Sequence, residues 1–313
     1  MKVLQIAAIE GHGCGIGLFA EKLRAHMRGA GVEIETATGL PRDVRADVVL
    51  LHHHEELFSS DQVVSLAAAC PVPAVLFAHA GGTDRLTALF DGCVAMCPGT
   101  IGSTDTPTHV FPHPAWIPRR LEERNALRRE FGLPERRTIA GTNGFLKFER
   151  QFVEVAEALL PEARRNDWFV ELLVSPWRVE SPGLLPRLND LHTRDADHFR
   201  FQHAFLDAET LNRRLQACDL LWCWTAAPSS AYASGVISDQ YASGTRVIAA
   251  DKQQHSHVLT LPNAVAAPDT LGAFVESLVD ELRSGSRQRH DPTPVSWEHC
   301  VHDLAAFLRD VAA

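Results

Sequence analysis

The chain has 313 residues, 45% hydrophobic and 22% charged, with a formal net charge of −9, a length that suits one large α/β domain or two of about 150 residues. The negative balance argues against a broad nucleic-acid surface, which needs clustered Lys and Arg to neutralise phosphates. No run approaches the roughly 20 apolar residues that cross a bilayer, and peripheral membrane contact is left open.

The N-terminus, MKVLQIAAIEG, enters a strand pattern with no basic leader, long apolar stretch or cleavage site, so a cytoplasmic protein is expected. KVLQIAAI (2–9) reads as a buried strand, GHGCGIG (11–17) as a glycine-rich turn and LFAEKLRAHMRGAG (18–31) as a helix with a glycine end. VEIETAT, ADVVLLHH, PAVLFAHA, CVAMC and THVFP follow as strands, with LAAAC and DRLTALF as helical pieces between them. This alternation predicts a parallel sheet covered by helices, a first domain over 1–118. The seven cysteines are scattered, odd in number and never in a CxxC pair, and are expected to be reduced and mostly buried.

A charged helix, RRLEERNALRREFGLP (119–134), opens a second domain over 119–295. Its pattern continues with the strand RTIAGTNG, the helix FERQFVEVAEALLPEA, the strand DWFVELLVS, a proline-bearing loop and the strand HFRFQHAF. The helix AETLNRRLQAC, the strand DLLWCWT, a polar loop with a short helix (SSAYASGVISDQYASG) and the strand VIAAD complete it. The tail 296–313, SWEHCVHDLAAFLRDVAA, carries apolar residues at helical spacing. Two Rossmann-like doubly wound halves imply a cleft, with motifs at the carboxyl ends of the strands.

Five stretches stand at such ends. GHGCGIG places glycine at every second residue, so it is a weak cofactor fingerprint; a tight turn explains it as well as an anion site at the following helix start. HHHEE (52–56) invites a metal reading, but neighbours on a strand alternate faces, and no metal is expected. His79, at the end of PAVLFAHA, is either satisfied by backbone or available to a ligand hydroxyl. In GTNGFLKFERQF, Lys147 and Arg150 stand three apart at a helix opening. There they oppose the helix dipole unless an anion relieves them; a solvated first turn led by Glu149 is the alternative. Finally Ser234, Gly235 and Val236 offer backbone N–H groups at a helix start, with Asp239 about one turn further in, where a carboxylate can hold ribose hydroxyls. The last two stretches point to one ligand, a nucleoside diphosphate.

GTNGFLKFERQFVEVAEAL resembles the diphosphate-binding segment of retaining GT-B glycosyltransferases of the family 4 type. SGVISDQYASGTRVIAAD resembles that family's later segment, a glycine-led helix ending in an Ala-x-Gly turn before a strand. GCGIGLFAEKLRAHM, VFPHPAWIP, AETLNRRLQACDLLWCW and SWEHCVHDLAAFL resemble, in order, its glycine loop, linker entry, shared helix and final helix, the last crossing back to the N-terminal domain.

The resemblance implies that Lys147 and Arg150 face the donor diphosphate, with Gly144 in the strand-end loop before them. It implies that Asp239 takes the second Glu of the family's E-x7-E motif, on the ribose. His79 would lie near the transferred sugar, and Gly15 and Gly17 in the loop that closes over the phosphates. The co-substrate would be a nucleotide-diphosphate sugar, with no cofactor or metal, and the acceptor would sit on the first domain. The first Glu of the motif falls at Ala231 or Tyr232, neither acidic, which leaves the donor sugar open. A non-catalytic nucleotide-sugar-binding protein and a GT-B-type nucleotide-sugar epimerase are the alternatives. Trp177 and Arg178 are candidates for donor contact.

Overall fold

The computed structural model describes residues 1–7, 15–54, 58–79, 84–97, 101, 104–115, 121–145, 153–176, 183–226 and 233–313. The chain divides into two compact units. One comprises Met1–Pro114, Ser230–Ala233 and Val295–Ala313, the other Ala115–Ser229 and Ser234–Pro294.

The first unit begins with β1 (Lys2–Ile6), α1 (Gly15–Met27), β2 (Glu33–Ala37), β3 (Val48–His53) and α2 (Ser60–Ala69). It continues with β4 (Ala74–Ala78), the short α3 (Asp84–Thr87), β5 (Gly92–Ala95) and β6 (Thr108–Val110). All pairings in its six-stranded sheet are parallel, in the order β2-β1-β3-β4-β5-β6. VVLLHH and AVLFA are buried along their whole length, as expected of parallel strands covered on both faces. A capping box starts α2: the Ser59 hydroxyl accepts from Gln62 N–H while the Gln62 side chain accepts from Ser59 N–H.

The second unit opens with α4 (Arg124–Phe131), β7 (Ile139–Phe145), α5 (Val153–Asn166), β8 (Phe169–Ser175), α6 (Leu184–Asp195) and β9 (Phe199–His203). Then come α7 (Ala208–Gln216), β10 (Leu220–Cys223), α8 (Gly235–Ala242), β11 (Arg246–Ala250), α9 (Ser256–Leu259), β12 (Ala264–Ala267) and α10 (Leu271–Ser284). Its sheet is again all-parallel and six-stranded, ordered β12-β11-β10-β7-β8-β9. The core lies between the sheet and α5, α6 and α10, around Leu159, Leu188, Trp222 and Phe274.

Three details differ from the sequence reading. The charged helix is shorter than 119–134, because the Glu123 carboxylate accepts from the N–H groups of Asn125 and Ala126 and fixes the start of α4. The proline-bearing loop after β8 contains α6, whose buried Leu184, Leu188 and Leu191 follow helical spacing. Past β11 the reading stops short of β12 and α10, although LGAFVESLVDELRS buries Phe274, Val275, Leu278, Val279 and Leu282 along one face.

The last helix, α11 (Trp297–Ala312), belongs to the first unit. Ser296 caps it by accepting from His299 N–H. The Trp297 ring lies 5.2 Å from Phe19 of α1 and stacks on His26 at 5.2 Å, and Arg309 donates to the Ala30 carbonyl at 2.6 Å. Among the described residues no helix is long and apolar enough to cross a membrane.

Candidate functional site

Ligands of open parallel sheets bind beyond the carboxyl ends of the strands, where the strand order reverses. In the second unit that reversal lies between β7 and β10, and in the first between β1 and β3.

β7 ends in Asn143-Gly144-Phe145, and Gly144 has φ +145°, a conformation nearly closed to residues with a Cβ. Glycine there suits the strand end; Lys147 and Arg150, which follow it in the sequence, lie outside the described residues. Ala231 and Tyr232, after β10, and Trp177 and Arg178, after β8, lie outside them too.

α8 begins at the same end of the sheet. Its N-cap, Ser234, is extended (φ −83°, ψ 114°), and its hydroxyl makes no capping bond. The Ser234 N–H donates to the Gln254 carbonyl at 2.9 Å, which anchors the entry to the helix. No acidic residue occupies the first turn, so the N–H groups of Gly235 and Val236 and the positive dipole end have no side-chain acceptor from the cap or from the first turn. Asp239 follows in the second turn and is only 8% exposed. The sequence-predicted residues Gly144, Ser234, Gly235, Val236 and Asp239 therefore fall on the two elements that serve this switch point.

Hydrogen bonds hold α8 rigidly there. Gln240 donates to Thr142 Oγ1 of β7 (3.2 Å) and to the Trp222 carbonyl of β10 (3.0 Å), and Thr142 donates to the same carbonyl at 2.6 Å. Ser238 Oγ lies 2.9 Å from His257 Nε2, and Tyr241 donates to the Pro262 carbonyl at 3.1 Å. Gly244, in the turn after the helix, has φ +72°, and a Cβ there would stand 2.6 Å from Leu121 Cδ2. The glycine of the Ala-x-Gly turn is thus favoured by its left-handed backbone.

One residue that sequence reasoning missed is Lys252, just past β11. Its ammonium is buried and donates to the Thr225 carbonyl at 2.8 Å. In the sequence it was one of four scattered lysines; its position one residue beyond the end of VIAAD was the available signal. Close by, His255 donates from Nδ1 to the Ala250 carbonyl (2.8 Å) and sets Nε2 3.5 Å from Cys223 Sγ. Burial holds His255 down to about 4 and pushes the Cys223 thiol up to about 12, so this pair is a neutral packing contact and not an activated nucleophile.

In the first unit α1 starts at Gly15, with Gly17 buried in its first turn and no acidic residue beside them. Gly11 and Gly13 lie outside the described residues, as do Glu55 and Glu56. His52 and His53 close β3, and strand alternation sends them to opposite faces. His52 pairs in register with Phe77 and shares its face with His79. His52 Nδ1 and His79 Nε2 are 2.8 Å apart, and His52 Nε2 lies 3.2 Å from Gln5 Oε1. Phe77 stacks on both imidazoles at 4.9–5.0 Å, and the Phe19 ring stands edge-on to His79 at 5.1 Å. Burial drives His52 down to about 3 and His113 to about 4, and holds His79 well below the usual imidazole range. These rings are neutral near pH 7. Among the described residues no three His, Cys, Asp or Glu side chains are grouped to hold a metal ion.

The sequence matches no protein-family model and no curated protein. Solved structures do match, over almost the whole chain. A glycosyltransferase from Rickettsia africae ESF-5 superposes with a TM-score of 0.70 at 10% identity, over 99% of this chain and 98% of that one. Sucrose-phosphate synthase from Thermosynechococcus elongatus gives 0.69 at 14% identity, over 99% and 98%. Anabaena HepE in complex with UDP-glucose gives 0.63 at 14% identity, over 99% and 96%. The structural neighbours are GT-B glycosyltransferases, and at these identities the likeness is one of fold.

Proposed function

We propose that this protein is a GT-B glycosyltransferase of the family 4 type that moves a sugar from a nucleotide-diphosphate donor to a hydroxyl-bearing acceptor, with retention of configuration. The observation that carries this reading is the α8 N-terminus at the β7–β10 switch point, uncapped by Ser234 and followed one turn later by the buried Asp239. Free N–H groups at a helix start bind phosphate, and a carboxylate near them accepts hydrogen bonds from ribose hydroxyls. In this proposal Gly144 admits the diphosphate close to the backbone, Lys147 and Arg150 neutralise it, and Gly235 and Val236 donate to it.

The charge that develops on the departing diphosphate is stabilised by those same groups, already oriented before the bond breaks. Protein cations and a helix dipole then do the work of neutralisation, and the reaction is proposed to need no metal. With retention, the acceptor attacks on the face from which the phosphate leaves, and a phosphate oxygen takes the acceptor's proton; no protein nucleophile is required. The first unit contributes Gly15 and Gly17 at the start of α1, His79 toward the transferred sugar, and the surface for the acceptor.

Incubation with UDP-, GDP- and ADP-sugars tests the reading. Release of free nucleoside diphosphate with at least one donor is expected, together with thermal stabilisation by that nucleotide, about 2.7 kcal/mol at a hundredfold excess over Kd. Stabilisation without release against a panel of acceptors would replace transfer with a binding role; an epimerised donor would replace it with isomerisation.

A further inference from the structure

The buried chain Gln5–His52–His79 in the first unit has only one consistent arrangement of protons. The Gln5 amide nitrogen stands 3.0 Å from the Ala20 carbonyl and 2.6 Å from Thr36 Oγ1. A carbonyl only accepts, so the amide cannot be flipped: both Gln5 N–H bonds are used there, and Gln5 Oε1 faces His52. Because Oε1 only accepts, His52 Nε2 carries the hydrogen across the 3.2 Å contact. Gln5 and His52 are both fully buried, and a neutral imidazole has one N–H, so His52 Nδ1 is bare. It therefore accepts from His79 Nε2 at 2.8 Å.

His79 is left with its hydrogen on Nε2 and a lone pair on Nδ1. That nitrogen has no hydrogen-bond partner among the described residues, although the side chain is more than nine-tenths buried. His113 spends its Nδ1 hydrogen on the Pro114 carbonyl, 2.8 Å away, and the neighbouring rings of Phe19 and Phe77 offer no polar atom.

We propose that Gln5 and His52 are positioning residues that lock His79 in the Nε2–H tautomer, so that its Nδ1 is a fixed hydrogen-bond acceptor for a substrate hydroxyl. The assignment of that hydroxyl to a bound sugar rests on the glycosyl-transfer reading above; the tautomer does not. A ring fixed in this sense selects for a ligand group that brings a hydrogen. A hydroxymethyl or ring hydroxyl satisfies it, whereas a carboxylate at the same place sets acceptor against acceptor and leaves a buried polar pair unsatisfied.

Long-range proton–nitrogen correlation spectra of the full chain labelled with nitrogen-15 histidine test this directly at pH 7, with the His79 signals assigned by their loss in His79→Asn. The expected wild-type pattern is one protonated nitrogen, Nε2, and one bare nitrogen, Nδ1. In Gln5→Leu the proton direction is no longer dictated, and the His79 signals should move toward the average of the two tautomers; Gln5→Met serves if the leucine variant does not fold. A wild-type His79 protonated on Nδ1, or tautomers averaged already in the wild type, overturns the proposal. So does an unchanged His79 pattern in a folded Gln5 variant. UDP-glucose is then the probe: binding seen at other resonances should shift Nδ1 while Nε2 stays protonated. Binding that leaves Nδ1 unmoved overturns the acceptor role, and no binding by any nucleotide sugar counts against glycosyl transfer while leaving the tautomer in place.

Discussion

The two units share an all-parallel six-stranded sheet, yet among the described residues only the second buries Asp, Glu, Lys and Arg side chains. In the first, the buried polar residues are Gln5, His52, His53, His79, Thr87 and Ser296, none of them Asp, Glu, Lys or Arg. In the second, ion pairs are buried at the opposite end of the sheet from α8. Asp219, just before β10, accepts from Arg128 Nη2 at 2.5 Å, Arg124 Nη1 at 3.0 Å and the Ile139 N–H at 2.8 Å. Glu171 in β8 accepts from Arg200 at 3.0–3.1 Å and from Arg214. The comparison separates framework from function. Charges at the amino ends of strands fix the second unit, while its carboxyl ends present an uncapped helix. Both units carry buried neutral polar groups to the carboxyl ends of their strands, His52, His53 and His79 in the first and Thr142 and Asn143 in the second; the second adds buried ion pairs at the amino ends.

Breaking the framework should have the largest effect. Arg128→Ala strands Asp219 with a buried, poorly compensated charge and should cost about 3–5 kcal/mol of stability. Denaturant unfolding followed by the fluorescence of Trp168, Trp222 and Trp224, all buried in the second unit, measures it; a loss below about 1 kcal/mol would mean that Arg124 alone suffices.

Acid should break the first unit before the second. Unfolded imidazole titrates near 6.5, whereas burial holds His52 at about 3, His113 at about 4 and His79 well below the ordinary value. As pH falls below about 6.5 the unfolded chain takes up protons that the native unit refuses. Stability is therefore full above that pH and declines down to about 4 for His113 and about 3 for His52, by on the order of 1 kcal/mol per pH unit for each histidine. In the second unit burial lowers His255 to about 4 and also lowers His290, two histidines against the three named in the first, so its decline should be shallower. Hydrogen exchange, corrected for the intrinsic effect of pH, should show β1, β3 and β4 losing protection at a higher pH than β7, β8 and β10. Simultaneous loss in both units would contradict the distinction.

A smaller effect is expected at the strand end itself. Gly144→Ala forces a Cβ into φ +145° and should cost about 1–3 kcal/mol, seen as a lowered Tm together with weakened nucleotide binding. An unchanged Tm would show that the loop relaxes without strain.

Much of this was legible in the sequence for specific reasons. Apolar runs such as VVLLHH and AVLFA announce buried parallel strands, and the glycine-led start at Gly235 with Asp239 one turn on marks α8 in the sequence alone. What was hidden depended on contacts between distant segments. α6 escaped because Pro182 and Pro186 bracket its start and suggest a loop. Lys252 looked like any lysine until Thr225, 27 positions earlier, met its ammonium. Alternation along HHHEE already argued against a metal in the sequence, but that His52 meets Gln5, Phe77 and His79 depends on strands that only the topology brings together.

Calorimetric titration of nucleoside diphosphates into the wild type and Asp239→Ala, with Arg150→Ala as the companion variant, bears most directly on the central claim. On the proposed reading each substitution removes a charge-assisted hydrogen bond to the ligand and should weaken the preferred nucleotide by about 1.5–3 kcal/mol, with far-ultraviolet circular dichroism unchanged. Wild-type affinity in both folded variants would contradict the assignment of the donor site to the α8 end of the second unit.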